Sequence, residues 1–191
     1  MDFLIGPIIA VGLAAACGFR VFLPLLGLSL AGMSGHLTLA PSLSWLATWP
    51  ALSVLAIATV LEVAAYYVPW VDNLLDTVAT PMAIAAGTLA SATQLGDMSP
   101  LLQWSLAAIT GGGVSGVVQT GSVAVRSLSS GLTGGIGNVV VSSAELLGAV
   151  MATVLAIFLP VVAFILVLVL LFWVIRVLAR RRISVAGVEA G

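Results

Sequence analysis

Apolar positions in this chain come in long blocks, with neither the alternation of strands nor a narrow amphipathic stripe. Most blocks approach or exceed the roughly 20 helical residues that cross a bilayer. The first runs from Leu4 to Leu30 and holds a single charge, Arg20. Gly18 before that arginine and Pro24 after it predict a broken or kinked helix. The stretch 31–48, with Gly32, Gly35, His36 and Pro41, reads as a loop or interfacial segment, and Trp45 and Trp49 suit the headgroup boundary. A second span is predicted over 49–68, with Glu62 in its later half and Tyr66, Tyr67 and Trp70 as an aromatic belt; Pro69 ends it. Asp72 and Asp76 then open a third apolar run, 74–93, where Pro81 and Gly87 permit a kink.

After a polar turn at 96–100, the run 100–125 carries no charge but includes Gly111, Gly112, Gly113, Gly116 and Gly121, which let backbones approach closely. The segment 126–138 is rich in serine, threonine and glycine, poor helix formers. It predicts an aqueous loop or re-entrant element, with Gln119 and Asn138 as polar residues of this irregular region. The next block, 139–175, would be about 55 Å long as one helix, too long for a core of about 30 Å. Pro160 is its natural break. The pattern predicts an all-α integral membrane protein of about six transmembrane helices, some broken or re-entrant. Five spans, or four plus re-entrant pieces, are the alternatives. A single transmembrane helical domain covers 1–182, and 183–191 form a short polar C-terminal tail. Each half holds an arginine and an intramembrane glutamate, Arg20 with Glu62 and Arg126 with Glu145. That is the outline of a weak inverted repeat, although the two spacings differ.

Composition strengthens this reading. Hydrophobic residues make up 61% and charged residues 7%, against about 25% charged in soluble domains. Nothing favours nucleic-acid binding. Four of the six basic residues, Arg176, Arg180, Arg181 and Arg182, crowd the C-terminal end, and there is no lysine. This places the C-terminus on the cytoplasmic side of the inner membrane, and an even span count places the N-terminus there too. The N-terminus has no basic n-region, and its apolar run is too long for a cleaved signal, so it reads as a retained span. Cys17 is the single cysteine. It excludes an intramolecular disulfide and reads as a small packing residue.

Several strings resemble a known family. They are Gly18-Phe19-Arg20-Val21-Phe22-Leu23-Pro24-Leu25-Leu26, Leu61-Glu62-Val63, and Val68-Pro69-Trp70-Val71-Asp72-Asn73-Leu74-Leu75-Asp76. Ala124-Val125-Arg126 and Thr133-Gly134-Gly135-Ile136-Gly137-Asn138 follow, with Ser142 and Glu145 after them. Together they resemble the bacterial multi-pass membrane family known as domain of unknown function 4126, over roughly residues 6–180. The resemblance implies the multi-pass architecture and assigns no activity. The family pattern has a basic or histidine-containing stretch before the second arginine, where this chain has Gln119-Thr120-Gly121-Ser122. It also has an acidic pair near Glu145, where this chain has Glu145 alone.

Buried charge is expensive in a bilayer, so each intramembrane charge needs a partner, a wet cavity or a function. Arg20 reads as an anion or headgroup contact in a broken helix, or as the ion-pair partner of Glu62, Asp72 or Asp76. Asp72 and Asp76 share a helix face and, with Asn73, could hold a cation or proton; ordinary helix capping is the alternative. Glu62 and Glu145 are the protonatable candidates, with Arg20 and Arg126 as charge partners. Gly113-Val114-Ser115-Gly116 matches a short protease-like string, but His36, the single histidine, lies far off in a loop. Glycine pairs such as Gly112 and Gly116 suit close helix contacts, within the chain or in a homodimer. No cofactor or catalytic residue is implied. Three functions compete: a small transporter or channel for a cation, a proton-coupled or a small polar solute; a non-catalytic scaffold or assembly protein; and an intramembrane metal-dependent transferase using Asp72 and Asp76. The count of four candidate acids against two arginines leans toward a cation or proton.

Overall fold

The computed structural model describes residues 2–96, 98–134 and 136–189; among them the side chains of 2–4, 69–70, 72–74, 76, 175 and 177–189 lie outside the description. The chain is all-helical, with 85% of residues in helix and no strand among the described residues. Helix α1 spans Asp2–Cys17 and α2 Phe22–Met33, and a 3₁₀ turn covers Pro41–Ala47. Then come α3 (Trp49–Tyr66), α4 (Pro69–Ala92), α5 (Pro100–Leu106), a π-helical turn (Ala107–Gly112), α6 (Gly113–Thr133), α7 (Asn138–Phe158) and α8 (Pro160–Glu189). Among the described residues three helical stretches are long and apolar enough to cross a membrane: Trp49–Tyr66, Pro100–Thr133 and Asn138–Phe158. Ile5–Cys17, Phe22–Met33, Thr77–Ala92 and Pro160–Val174 are shorter apolar helices.

Both predicted breaks are present. The first run divides at Gly18–Val21, and Pro24 falls inside the first turn of α2, where its missing N–H costs nothing. The long C-terminal block divides at Leu159, directly before Pro160. The segment 126–138 departs from the expectation of a loop or re-entrant piece: α6 continues through it to Thr133. Its hydroxyls bond back along the helix, Thr120 to the Gly116 carbonyl (2.7 Å), Ser127 to Val123 (2.8 Å) and Thr133 to Ser129 (2.7 Å). The polar side chains thus satisfy themselves without leaving the helix. Gly134, at φ +63°, provides the left-handed residue that stops it. Gln119 lies in regular helix, and Asn138 is the first residue of α7.

Helix α1 is the central element. It packs on α4, α6, α7 and α8, and Leu13, Ala14, Ala16 and Cys17 are fully buried. Cys17 is a packing residue, as its small size led us to expect. Large apolar side chains on the outer helices, such as Ile57, Val60 and Leu61 on α3 and Val140 and Leu147 on α7, face outward. Such a surface suits hydrocarbon rather than water.

The π turn is where α4 meets the 100–133 helix most tightly. A Cβ built on Gly111 would strike the Gly87 carbonyl oxygen and the Ser91 side chain. Gly111→Ala is therefore expected to lower stability by about 1–3 kcal/mol, the usual cost of overfilling a packed contact. Thermal unfolding in detergent checks this, and an unchanged midpoint would show that α4 and the π turn separate freely.

Candidate functional site

The site begins at the break between α1 and α2. Unwinding at Gly18–Val21 exposes the first amides of α2, and Val21 offers them no side-chain cap. A carboxylate from α3 takes that place. Glu62 accepts the Val21 N–H at 2.7 Å and the Phe22 N–H at 3.0 Å. Orphan donors and the positive end of a helix dipole both favour an anion here.

Arg20 sits inside the break and is 1% exposed. Its Nη2 donates to the Ser142 carbonyl of α7 at 2.8 Å and lies 3.8 Å from Glu145 Oε2. Its guanidinium carbon lies 3.8 Å from the centre of the Tyr66 ring, and that of Arg126 lies 4.2 Å from the same centre. The aromatic ring thus carries two cations. Arg126 Nε donates to both oxygens of Glu145 at 3.0 Å, its Nη2 also bonds Glu145, and Ser122 donates to the same carboxylate.

Glu62 is tied to backbone amides, and Glu145 to Arg126 and Ser122. Of the four charges Arg20, Glu62, Arg126 and Glu145, Arg20 is the one with partnerless atoms. Its Nε and Nη1, Gln119 Nε2 and Ser142 Oγ are buried without a hydrogen-bond partner among the described residues. These three side chains come from the break, α6 and α7, and each is at most 1% exposed.

The structure brings together Arg20, Glu62, Arg126 and Glu145, and places Gln119 among the buried polar residues of α6. Asn138, at the start of α7, donates to Ser130 Oγ at 2.9 Å. The side chains of Asp72, Asn73 and Asp76 lie outside the described residues. Among the described residues Arg20 meets Glu145, the acid of the other half, while Glu62 serves the backbone beside Arg20. Tyr66, expected in an interfacial belt, is instead buried at 5% exposure. Its neighbour Tyr67 is the exposed one, hydrogen-bonded to Ser143 at 3.0 Å. Sequence reasoning missed Tyr66, Ser122 and Ser142 as site residues. A signal was present: Glu62 and Tyr66 are four apart, as are Ser122 and Arg126, and Ser142 and Glu145 are three apart. Each pair shares a helix face.

Two cavities flank the cluster. One, of about 430 Å³, lies between α6, α7 and α8 and ends on Ser122 and Glu145. The other, of about 370 Å³, lies between α2, α3 and α4 and ends on Glu62 and Tyr66. Both are otherwise lined mostly by apolar side chains.

Fold and site together define a helical protein suited to a membrane, with a discontinuous first helix and a buried charge cluster at the discontinuity. The chain belongs to the family described as domain of unknown function (DUF4126), whose model matches residues 8–180. No curated protein and no solved structure was found to match.

Proposed function

We propose that this protein is a small carrier of the cytoplasmic membrane, with its C-terminus on the cytoplasmic side, that binds a polar solute at Arg20. The observation that carries this reading is the set of buried donors without partners, Arg20 Nε and Nη1, Gln119 Nε2 and Ser142 Oγ. A donor left unsatisfied in a dry interior is costly. The cost is recovered when a ligand brings acceptor oxygens. A discontinuous helix beside the site is a frequent transporter feature. Six crossings result if α1 with α2, and α5 with α6, each count as one irregular span.

Each half's second helix then supplies a glutamate to its first, Glu62 to the break beside Arg20 and Glu145 to Arg126. This recurrence supports the inverted repeat. The partnerless donors of Arg20, Gln119 and Ser142 favour a solute with acceptor oxygens. A scaffold reading draws on the ties of Glu62 and of Glu145 with Arg126, which pin three helices and the break. It leaves the Arg20 donors unexplained.

Thiol accessibility tests the proposal. In a Cys17→Ala background, single cysteines at 119 and 142 should react with a membrane-impermeant maleimide from one side of the membrane or the other. Complete protection of both in folded protein would overturn the carrier reading and favour the scaffold.

A further inference from the structure

Contacts along α7 give the directions of the first two helices. Along α1 they move toward the start of α7. A Cβ on Gly12 would meet Ala156, a Cβ on Gly148 would touch the Phe19 ring, and Arg20 bonds the Ser142 carbonyl. Along α2 they move back. A Cβ on Gly27 would meet Thr153, and His36, just past the helix, lies edge-on to Phe158 with ring centres 5.5 Å apart. Helix α1 is thus antiparallel to α7, and α2 is parallel to it. The chain reverses at Gly18–Val21.

The far ends agree. Gly6 and Ile9 of α1 share one cavity with His36 and Thr38, beyond α2, and with Gln94, beyond α4. The Ala40 N–H donates to the Thr93 carbonyl at 2.7 Å, and a Cβ on Gly6 would strike the Gln94 carbonyl oxygen. One continuous helix over 5–33 would instead set its two ends about 42 Å apart. Between the open end and the turn the packing is apolar. Leu13, Cys17 and Leu28 are fully buried, in one cluster with Ile9, Leu25 and Leu37. The turn lies close to the opposite end of the bundle. Helix α7, Asn138–Phe158, has residues 138–141 on one side of Ser142 and 143–158 on the other. At 1.5 Å per residue, that is about 6 Å against about 24 Å.

We infer that α1 and α2 form a re-entrant hairpin that closes the face where α1 begins and carries Arg20 at its tip, so that the solute meets Arg20 from the C-terminal face. The side of entry rests on the carrier reading; the hairpin stands without it. Broken backbone is tolerated at membrane depth where protein satisfies it, and Glu62 does so for Val21 and Phe22. The condition for six crossings then fails at its first pair. Helices α3, α4, α5 with α6, α7 and α8 make five, and the two ends of the chain lie on opposite faces. The inverted repeat is kept, because α2–α3–α4 and α6–α7–α8 run in opposite senses, with α1 outside it.

Crosslinking tests the hairpin. In a Cys17→Ala background, Ile5→Cys and Thr38→Cys, both at exposed positions, should be joined by a short bismaleimide in most of the folded protein. An epitope placed before α1 should be reached from the same face as a maleimide at position 38, and an epitope after α8 from the opposite face. Absence of the crosslink, or an N-terminal epitope on the face opposite position 38, would restore one irregular span and overturn the hairpin.

The single cysteines at 119 and 142 read the side of entry. Impermeant maleimide added at the C-terminal face should label them about tenfold faster than from the other face, a difference of about 1.4 kcal/mol in barrier. Equal or faster labelling from the face where α1 begins would overturn the closure. Complete protection of both removes the carrier and the side of entry with it, while the crosslink still decides the hairpin.

Discussion

Replacing Glu145 by alanine is expected to cost about 3–5 kcal/mol of stability and to remove most of the folded protein. Arg126 Nε donates to both oxygens of Glu145 at 3.0 Å, and Glu145 also accepts from Ser122 and faces Arg20 at 3.8 Å. Removing it takes a counter-charge away from two buried guanidiniums. Breaking a buried pair on one side has that order of cost, a large share of the total stability of a typical domain. The pair itself is not worth so much, because forming it already required desolvating both ions. Arg126→Met with Glu145→Leu should therefore be far more stable than Glu145→Ala alone, although it still leaves Arg20 facing an apolar group. Denaturation in detergent, followed by circular dichroism, measures both. If Glu145→Ala loses under about 1 kcal/mol, or the double variant is the worse of the two, the cluster does not hold the helices together as described.

Much of the fold follows from the pattern of apolar blocks, because in a bilayer helix is the cheapest way to satisfy the backbone. Gly18 and Pro160 marked real interruptions for local reasons, a residue with weak helix propensity and a missing N–H. The error at 126–133 came from applying aqueous propensity to a helix whose hydroxyls find carbonyls four residues back. Water competes for those hydroxyls and lipid does not.

The charges of the site were legible as anomalies. Their partners were not. Glu62 lies 41 residues from Val21, and Arg20 lies 122 from Ser142. Only tertiary packing decides that Glu62 caps a helix while Glu145 meets the arginines. Tyr66 was hidden for a related reason. An aromatic at the end of an apolar run fits an interfacial belt, and only the fold turns it inward between two cations.

The role of Glu62 yields the last expectation. If it were a mobile proton carrier, Glu62→Gln would leave folding intact, since glutamine resembles the neutral acid in size. Its two bonds to the Val21 and Phe22 amides make it a structural cap on the broken helix instead. Glu62→Ala orphans both amides in an apolar interior, at about 1–3 kcal/mol per donor. Glutamine keeps one acceptor oxygen but turns an NH2 group toward the second amide and gives up the charge favoured at a helix start. Its loss should fall between wild type and alanine. Hydrogen exchange at Val21 and Phe22 localises the effect: both amides should become the fastest-exchanging in the break in Glu62→Ala, with Arg126 and Glu145 still paired. A glutamine variant as stable as wild type, with unchanged exchange at those two amides, would return Glu62 to the ranks of transported-proton sites. The graded loss expected here ties it to the geometry that holds Arg20 in place.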